Sequence, residues 1–265
     1  LAFGKLATAL PEGAWHLENM PDEPELAALA FLCGGYKFTR YKPVQARNAM
    51  LAVPEGVSAD HVTNMAAAVA LARDLVNTPA NDMGPDAIEE AARAVAKKGR
   101  ARVKVTKGAA LERGFPMIHA VGRAASQEPR LIDFSWGPRS APKIILVGKG
   151  VAFDTGGLDI KPSSSMLLMK KHMGGAANVL ALAQLIMACR LKVRLRVLIP
   201  AVENSISSNA FRPGDILKSR SGKTVEIGNT DAEGRLILAD ALTLAVDDNP
   251  DLLIDMATLT GAARV

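Results

Sequence analysis

Apolar strands alternate with helices along most of this chain, and this alternation constrains its fold more than any other feature. Five strands are predicted at 101–106, 131–136, 143–147, 193–201 and 252–257. Helices are predicted at 62–76, 85–98, 176–189 and 235–246, and a hairpin at 215–227. Near-continuous apolar strands need cover on both faces. The pattern therefore predicts an α/β fold with a mostly parallel mixed sheet sandwiched by helices.

The composition of the 265 residues favours a large packed domain over disorder, since 49% are hydrophobic and 22% are charged. The net charge is +5, but the 32 basic residues are scattered. Such scatter is typical of a solvated surface and not of a nucleic-acid footprint. No apolar run has the length of a membrane span. Cys33 and Cys189 lie in apolar stretches without metal-binding spacing, so we predict reduced core cysteines in a cytoplasmic protein.

A short acidic stretch at 229–235, Asn-Thr-Asp-Ala-Glu-Gly-Arg, bears the most specific chemistry. Asp231 and Glu233 are two positions apart, so their side chains point the same way in an extended or turn conformation. Paired carboxylates repel each other, and a divalent cation between them would relieve that repulsion. Arg235 could then hold an anion beside the cation. A solvated turn is the alternative interpretation.

A second acidic segment, 148–157, follows the strand predicted at 143–147 and contains Lys149 and Asp154 among several glycines. Glycine allows a close backbone approach to a ligand. A phosphate-binding loop is one alternative, although the spacing of a nucleotide-binding P-loop is absent, and an ordinary turn is another. Ligands bind at the carboxyl ends of parallel strands, so we expect this segment and the stretch at 229–235 to converge at one sheet edge.

Three carboxylates at one edge, with Lys149 and Lys161 nearby, predict a two-metal site of the kind found in hydrolases. His172 is the best histidine candidate, because it precedes an apolar helix whose N-terminus disfavours an imidazolium. Met169 fits either the core or a pliable substrate pocket.

Together these residues resemble the leucyl aminopeptidase (cytosol aminopeptidase) family of dinuclear metallopeptidases. The heptad 229–235 is the hallmark sequence of that family, and the segment 148–157, the Lys161 region and 258–261 match in order and spacing. The resemblance implies that residues 1–50 are the tail of a smaller N-terminal α/β domain and that 51–84 form a linker and connecting helix. Residues 85–265 would then be a catalytic domain that is cut short at its C-terminus.

The resemblance implies an enzyme that removes a leucine-like first residue from peptides by means of a metal-bridging hydroxide. Two zinc or manganese ions would be bound by Lys149, Asp154, Asp231 and Glu233. Lys161 would stabilise the oxyanion, and Arg235 would hold a bicarbonate as general base. The implied contacts with the substrate come from Met169, Thr258, Leu259 and Gly261.

His172 departs from the family, which usually has an aspartate ligand of the tighter metal site at this position. A histidine can ligate zinc or manganese, but it is neutral and longer. Three outcomes are open: a working site, weak binding of the second metal, or an impaired copy. The alternative function is a non-enzymatic DNA-binding regulator. The resemblance also implies a homo-hexamer acting on peptides.

Overall fold

The structure of the chain, a computed structural model, describes residues 2–44 and 48–260. The chain divides into two compact units, Leu1–Asp74 and Leu75–Val265. This division falls inside a helix, whereas the sequence analysis placed boundaries after residues 50 and 84, and those boundaries stay predictions.

The first unit consists of helices and one pair of short parallel strands. Its elements are α1 (Ala2–Ala9), β1 (Gly13–Trp15), α2 (Pro24–Gly34), β2 (Ala49–Leu51) and most of α3 (Ala59–Asn77). Helix α3 confirms the helix predicted at 62–76, and it ends before Pro79, which cannot continue it.

A six-stranded mixed sheet forms the centre of the second unit. Its first five strands are β3 (Arg102–Lys107), β4 (Arg130–Trp136), β5 (Lys143–Gly148), β6 (Gly150–Asp154) and β7 (Arg194–Asn204). Two short strands, β8 (Ile216–Lys218) and β9 (Thr224–Glu226), form a separate antiparallel hairpin, and β10 (Leu252–Met256) completes the sheet. The strand order is β10–β5–β7–β4–β3, and β6 also pairs with β7. Three pairings, those of β10 with β5 and of β7 with β5 and β6, are parallel, whereas β3 and β4 are antiparallel to their neighbours.

Helices cover the sheet in two groups. They are α4 (Pro85–Lys98), α5 (Gly108–Gly114), α6 (Pro116–Gly122), α7 (Ser163–Met166), α8 (Gly174–Ala188) and α9 (Glu233–Asp247). Helices α4 and α8 pack against each other and the sheet, and so do α6 and α9. The predicted α/β sandwich is therefore confirmed. Apolar side chains of the central strands, among them Ile145, Val147, Leu198 and Val202, are fully buried beneath these helices.

One strand of the main sheet was not predicted. The segment 150–154 forms strand β6, because its buried apolar residues pair with the end of β7. The hairpin predicted at 215–227 is confirmed as β8 and β9, which lie outside the main sheet. The acidic stretch at 229–235 follows this hairpin and leads into α9, which confirms the helix predicted at 235–246.

The cysteines also differ from expectation, since Cys33 and Cys189 are only half-buried and are not core residues. Across residues 2–44 and 48–260, no helix combines the length and the apolar character that crossing a bilayer requires.

Candidate metal centre

Asp154 ends β6 and lies opposite Asn204, the last residue of β7. Its side chain is fully buried. Its Oδ1 accepts hydrogen bonds from the backbone N–H of Gly156 at 2.9 Å and from Asn204 Nδ2 at 2.8 Å. Its Oδ2 lies 2.9 Å from Lys161 Nζ and 3.4 Å from His172 Nε2. A buried carboxylate needs positive charge beside it, and in the structure Lys161 supplies that charge.

Lys149 connects β5 to β6, and its backbone is fixed by β10 and α8. Its N–H donates to Met256 O at 3.0 Å, and its carbonyl accepts from Ala176 N at 2.9 Å. The buried side chain places Nζ 3.1 Å from Glu233 Oε1 and donates to Thr258 O at 2.8 Å. Burial lowers the pKa of Lys149, although Glu233 opposes that shift. A lowered pKa makes the neutral amine, the form that can ligate a metal, more accessible.

His172 lies in a 3₁₀ turn, Met169–Met173, immediately before α8. It is buried, with Nε2 placed 3.1 Å from Glu233 Oε1 and 3.4 Å from Asp154 Oδ2. The same nitrogen contacts Lys149 Nζ. Nδ1 lies 3.4 Å from Thr258 Oγ1, and this hydroxyl donates to the backbone carbonyl of His172 at 2.8 Å. Thr258 therefore fixes both the backbone and the ring of His172.

Glu233 and Asp231 enter the site from the start of α9. Asn229 Oδ1 accepts from Asp231 N at 2.7 Å and so caps the short 3₁₀ turn Thr230–Ala232. Glu233 occupies the first turn of α9, where the helix dipole favours a carboxylate. It is almost fully buried, whereas Asp231 is half-buried.

Lys161 lies between the two acidic segments. Its Nζ is 2.9 Å from Asp154 Oδ2 and forms an ion pair with Asp231 Oδ1. Burial opposes a charged ammonium here, but the ion pairs with Asp231 and Asp154 outweigh it and raise the pKa of Lys161. The side chain is therefore a fixed positive charge at the mouth of the site.

Thr230 and Asp159 join the two acidic segments by hydrogen bonds. Thr230 N donates to Asp159 Oδ2 at 2.7 Å, and its hydroxyl donates to Gly156 O at 2.6 Å. Gly156 has φ of 88°, and a Cβ there would overlap Asp159 O. Only glycine fits this turn at low cost.

The pKa values of the two buried carboxylates, Asp154 and Glu233, shift in opposite directions. Burial and the nearby Glu233 raise the pKa of Asp154, because two close carboxylates disfavour each other's charge. Burial also acts to raise the pKa of Glu233, but His172 and Lys149 outweigh it and lower that pKa. Such opposed shifts are typical of functional sites.

The donor atoms fit a divalent ion. Single ligand atoms of Asp154, His172 and Glu233 all lie within 4.8 Å of one another, and all three residues are buried. Ligands bound at about 2.0–2.2 Å around one ion are about 3.0–3.5 Å apart. Three separations fall in that range. His172 Nε2 is 3.1 Å from Glu233 Oε1 and 3.4 Å from Asp154 Oδ2, and Lys149 Nζ is 3.1 Å from Glu233 Oε1.

The remaining predicted residues differ in their burial and in their contacts with this cluster. Met169 and Thr258 are half-buried, and Thr258 contacts Lys149 and His172 directly. Leu259 is 45% exposed, and Arg235 is exposed in the first turn of α9. Gly261 lies outside the described residues.

The roles of Asn204, Thr230 and Asp159 were not predicted from the sequence. Asn204 follows a predicted apolar strand, so its position at a strand end was the only available signal. Nothing in the local sequence indicates that its amide contacts Asp154 and Thr230 O, at 2.8 Å and 3.1 Å.

Comparison with known proteins gives consistent matches. Residues 70–265 match the family model described as the catalytic domain of the cytosol aminopeptidase family. A probable cytosol aminopeptidase of Rhodococcus opacus (strain B4) is 43% identical over 257 residues, which cover 90% of this chain and 51% of that protein. The chain thus spans about half the length of the curated relatives it matches.

Solved structures are similar over almost the whole chain. The crystal structure of cytosol aminopeptidase from Coxiella burnetii has a TM-score of 0.95 and 53% identity, covering 99% of this chain and 58% of that one. A structure of the bottromycin maturation enzyme BotP in complex with Mn has a TM-score of 0.90 and 35% identity, covering 99% and 60%.

Proposed function

This chain belongs to the cytosol aminopeptidase family, and we propose that its protein is a metal-dependent aminopeptidase acting on peptides with a free, apolar first residue. The observation that carries the proposal is the buried cluster of Asp154, His172 and Glu233, with Lys149 in contact. Burial penalises unpaired charge, and in the structure Lys149 and Lys161 offset the two carboxylates. A divalent ion would supply that positive charge where Lys149 ligates as a neutral amine.

Two divalent ions, zinc or manganese, fit the donors in two overlapping sets. Lys149, His172, Asp154 and Glu233 would hold the deeper ion, and Asp154, Glu233 and Asp231 the outer one. The outer position is supported by Asp231 Oδ1, a buried oxygen that shares the Lys161 ammonium with Asp154 Oδ2, so that both carboxylates face one positive charge. When bound, such ions supply Lewis acidity that activates water and polarises a peptide carbonyl.

Lys161 supplies the charge that the developing oxyanion needs. Its ammonium is fixed between Asp154 and Asp231 and is mostly buried. A donor held in place before reaction costs no reorganisation when the negative charge forms. Because the raised pKa keeps this side chain protonated at neutral pH, it acts as a hydrogen-bond donor and not as a base.

Other residues complete the proposal with less structural support. Arg235 is exposed in the first turn of α9, two residues after Glu233, and its role in holding bicarbonate as general base follows from the resemblance to the family. Met169, Thr258, Leu259 and Gly261 would contact the substrate. Cytoplasmic location and a homo-hexamer follow only from the resemblance to the family.

Hydrolysis of leucine-p-nitroanilide tests this function. We expect chelation to abolish the activity and zinc or manganese to restore it. N-acetyl-leucine-p-nitroanilide and aspartate-p-nitroanilide should react poorly, because one lacks a free amine and the other an apolar side chain.

The matched variants are Glu233→Gln and Glu226→Gln. Glu233 is buried in the cluster, whereas Glu226 is exposed in β9. We expect the activity of Glu233→Gln to fall at least about 100-fold, because a metal ligand is lost, and the activity of Glu226→Gln to stay unchanged. Cleavage that a chelator does not reduce, or full activity of Glu233→Gln, would rule out the proposed mechanism.

A further inference from the structure

We propose that His172 makes the deeper ion position of this centre selective for ions that accept nitrogen donors, zinc or cobalt, over manganese and magnesium. The proposal rests on the metal site proposed above and specifies which ions it takes. It concerns the deeper position alone, because Asp231 offers only oxygen to the outer one.

The donor set of the deeper position contains two nitrogens and two carboxylates. Lys149 Nζ and His172 Nε2 lie on the same side of Glu233 Oε1, each 3.1 Å from it, and contact each other. Imidazole suits zinc and cobalt, whereas manganese and magnesium favour carboxylate, carbonyl and water oxygens. Two of the four protein donors, the nitrogens, therefore suit zinc and cobalt better than manganese and magnesium.

The charge of the set points in the same direction. Asp154 and Glu233 contribute the only two negative charges, since an imidazole ligand is neutral and an amine ligand must be neutral. The aspartate that the family usually has at this position would add a third. Hard, strongly hydrated ions depend on charge for their binding, so a less negative site lowers their affinity more than that of zinc.

The protein holds the ring of His172 in a ligating orientation. Thr258 Oγ1 donates its proton to the carbonyl of His172 at 2.8 Å, which leaves its lone pairs facing Nδ1 at 3.4 Å. The tautomer with its proton on Nδ1 fits that arrangement and leaves the lone pair on Nε2. This nitrogen lies 3.4 Å from Asp154 Oδ2 and 3.1 Å from Glu233 Oε1 and contacts Lys149 Nζ, so a divalent ion held by these atoms would also be reached by the imidazole.

Competition dialysis of the purified protein against equal concentrations of zinc and manganese tests the proposal. Bound ions are measured by mass spectrometry for the wild type, for His172→Asp and for the control His16→Asp. His16 is exposed and lies in the first unit. We expect the bound zinc-to-manganese ratio to fall about tenfold or more in His172→Asp and to stay unchanged in His16→Asp.

X-ray absorption of the wild type loaded with one zinc per chain gives a readout that needs no variant. We expect outer-shell scattering from one imidazole, which only a histidine ligand produces. Equal zinc-to-manganese ratios in wild type and His172→Asp, or a zinc spectrum without imidazole, would overturn the selectivity while leaving a metal site in place. Absence of any bound metal would overturn both this inference and the proposed function.

Discussion

Asn204 Nδ2 donates a hydrogen bond of 2.8 Å to Asp154 Oδ1, although the two residues are 50 positions apart in the chain. The same amide donates to the carbonyl of Thr230 at 3.1 Å. One buried side chain thus links the end of β6 to the segment that precedes α9. With Oδ1 engaged, the other oxygen of Asp154 is directed at Lys161 and His172.

We predict that Asn204→Ala weakens metal binding about 10- to 100-fold, the effect usual for a residue that orients a ligand. Asp154 would lose a hydrogen bond in a buried place and its carboxylate would rotate. Isothermal titration with zinc measures the affinity. Asn209→Ala is the control, because Asn209 is exposed and hydrogen-bonds only to Ser207 and Arg123 in the described chain. Unchanged affinity in Asn204→Ala would contradict the prediction.

Lys161→Gln should separate charge stabilisation from metal binding. Removing one preorganised donor to an oxyanion costs about 100- to 1000-fold in kcat. We expect that loss with leucine-p-nitroanilide while the metal content stays close to that of the wild type. Lys171→Gln changes an exposed lysine one position before His172 and should leave kcat unaltered. A Lys161→Gln enzyme with normal kcat would show that the oxyanion is stabilised elsewhere.

The fold was largely predictable from the sequence, because each strand and helix is encoded by its own apolar pattern. The strands 131–136 and 143–147 and the helix 85–98 lie within a residue or two of the observed β4, β5 and α4. Strand β6 was missed because glycines flank a run of only five residues, and local pattern cannot show that β7 supplies a partner.

The candidate site was predictable only as a set of residues. Asp154, Asp231 and Glu233 were expected to converge, and they do lie together, with Lys161 between Asp154 and Asp231 and with Glu233 entering from the first turn of α9. Asn204 could not be found, since an asparagine at a strand end has no distinctive spacing. Contacts between residues far apart in the chain carry no local signal.

Gly234 and Gly228 offer a matched test of packing at the metal centre. A Cβ on Gly234 would overlap Lys149 Cε and lie 2.9 Å from Leu259 Cδ2, whereas a Cβ on Gly228 meets nothing within 4 Å. We predict that Gly234→Ala displaces Lys149 from Glu233 and reduces both metal affinity and kcat/KM by about tenfold or more. Gly228→Ala should behave as the wild type. Equal metal affinity in the two variants, measured by titration, would contradict the steric argument.

An ion-pair network away from the centre gives a pH-dependent prediction of stability. Glu89 on α4 lies 2.6 Å from Nη1 of Arg130 and 2.8 Å from Nε of Arg93, and the Arg130 side chain is 4% exposed. Burial acts to raise the pKa of Glu89, but these arginines outweigh it and lower the pKa below its ordinary value of 4.5. A lowered folded-state pKa stabilises the protein above the unfolded-state pKa, and that stability is lost as the pH falls through the folded-state value.

We therefore predict that Glu89→Gln lowers the free energy of unfolding by about 1–3 kcal/mol at neutral pH, since it removes one of the two carboxylates that pair with the buried Arg130, the other being Asp86. The difference from the wild type should shrink as the pH falls below 4.5 and through the lowered folded-state pKa, where the wild-type carboxylate becomes protonated as well. Urea denaturation at several pH values measures it. Glu90→Gln, one position further and exposed, should show no such dependence. A Glu89→Gln deficit that is constant from neutral to acidic pH would mean that packing, and not charge, accounts for the loss.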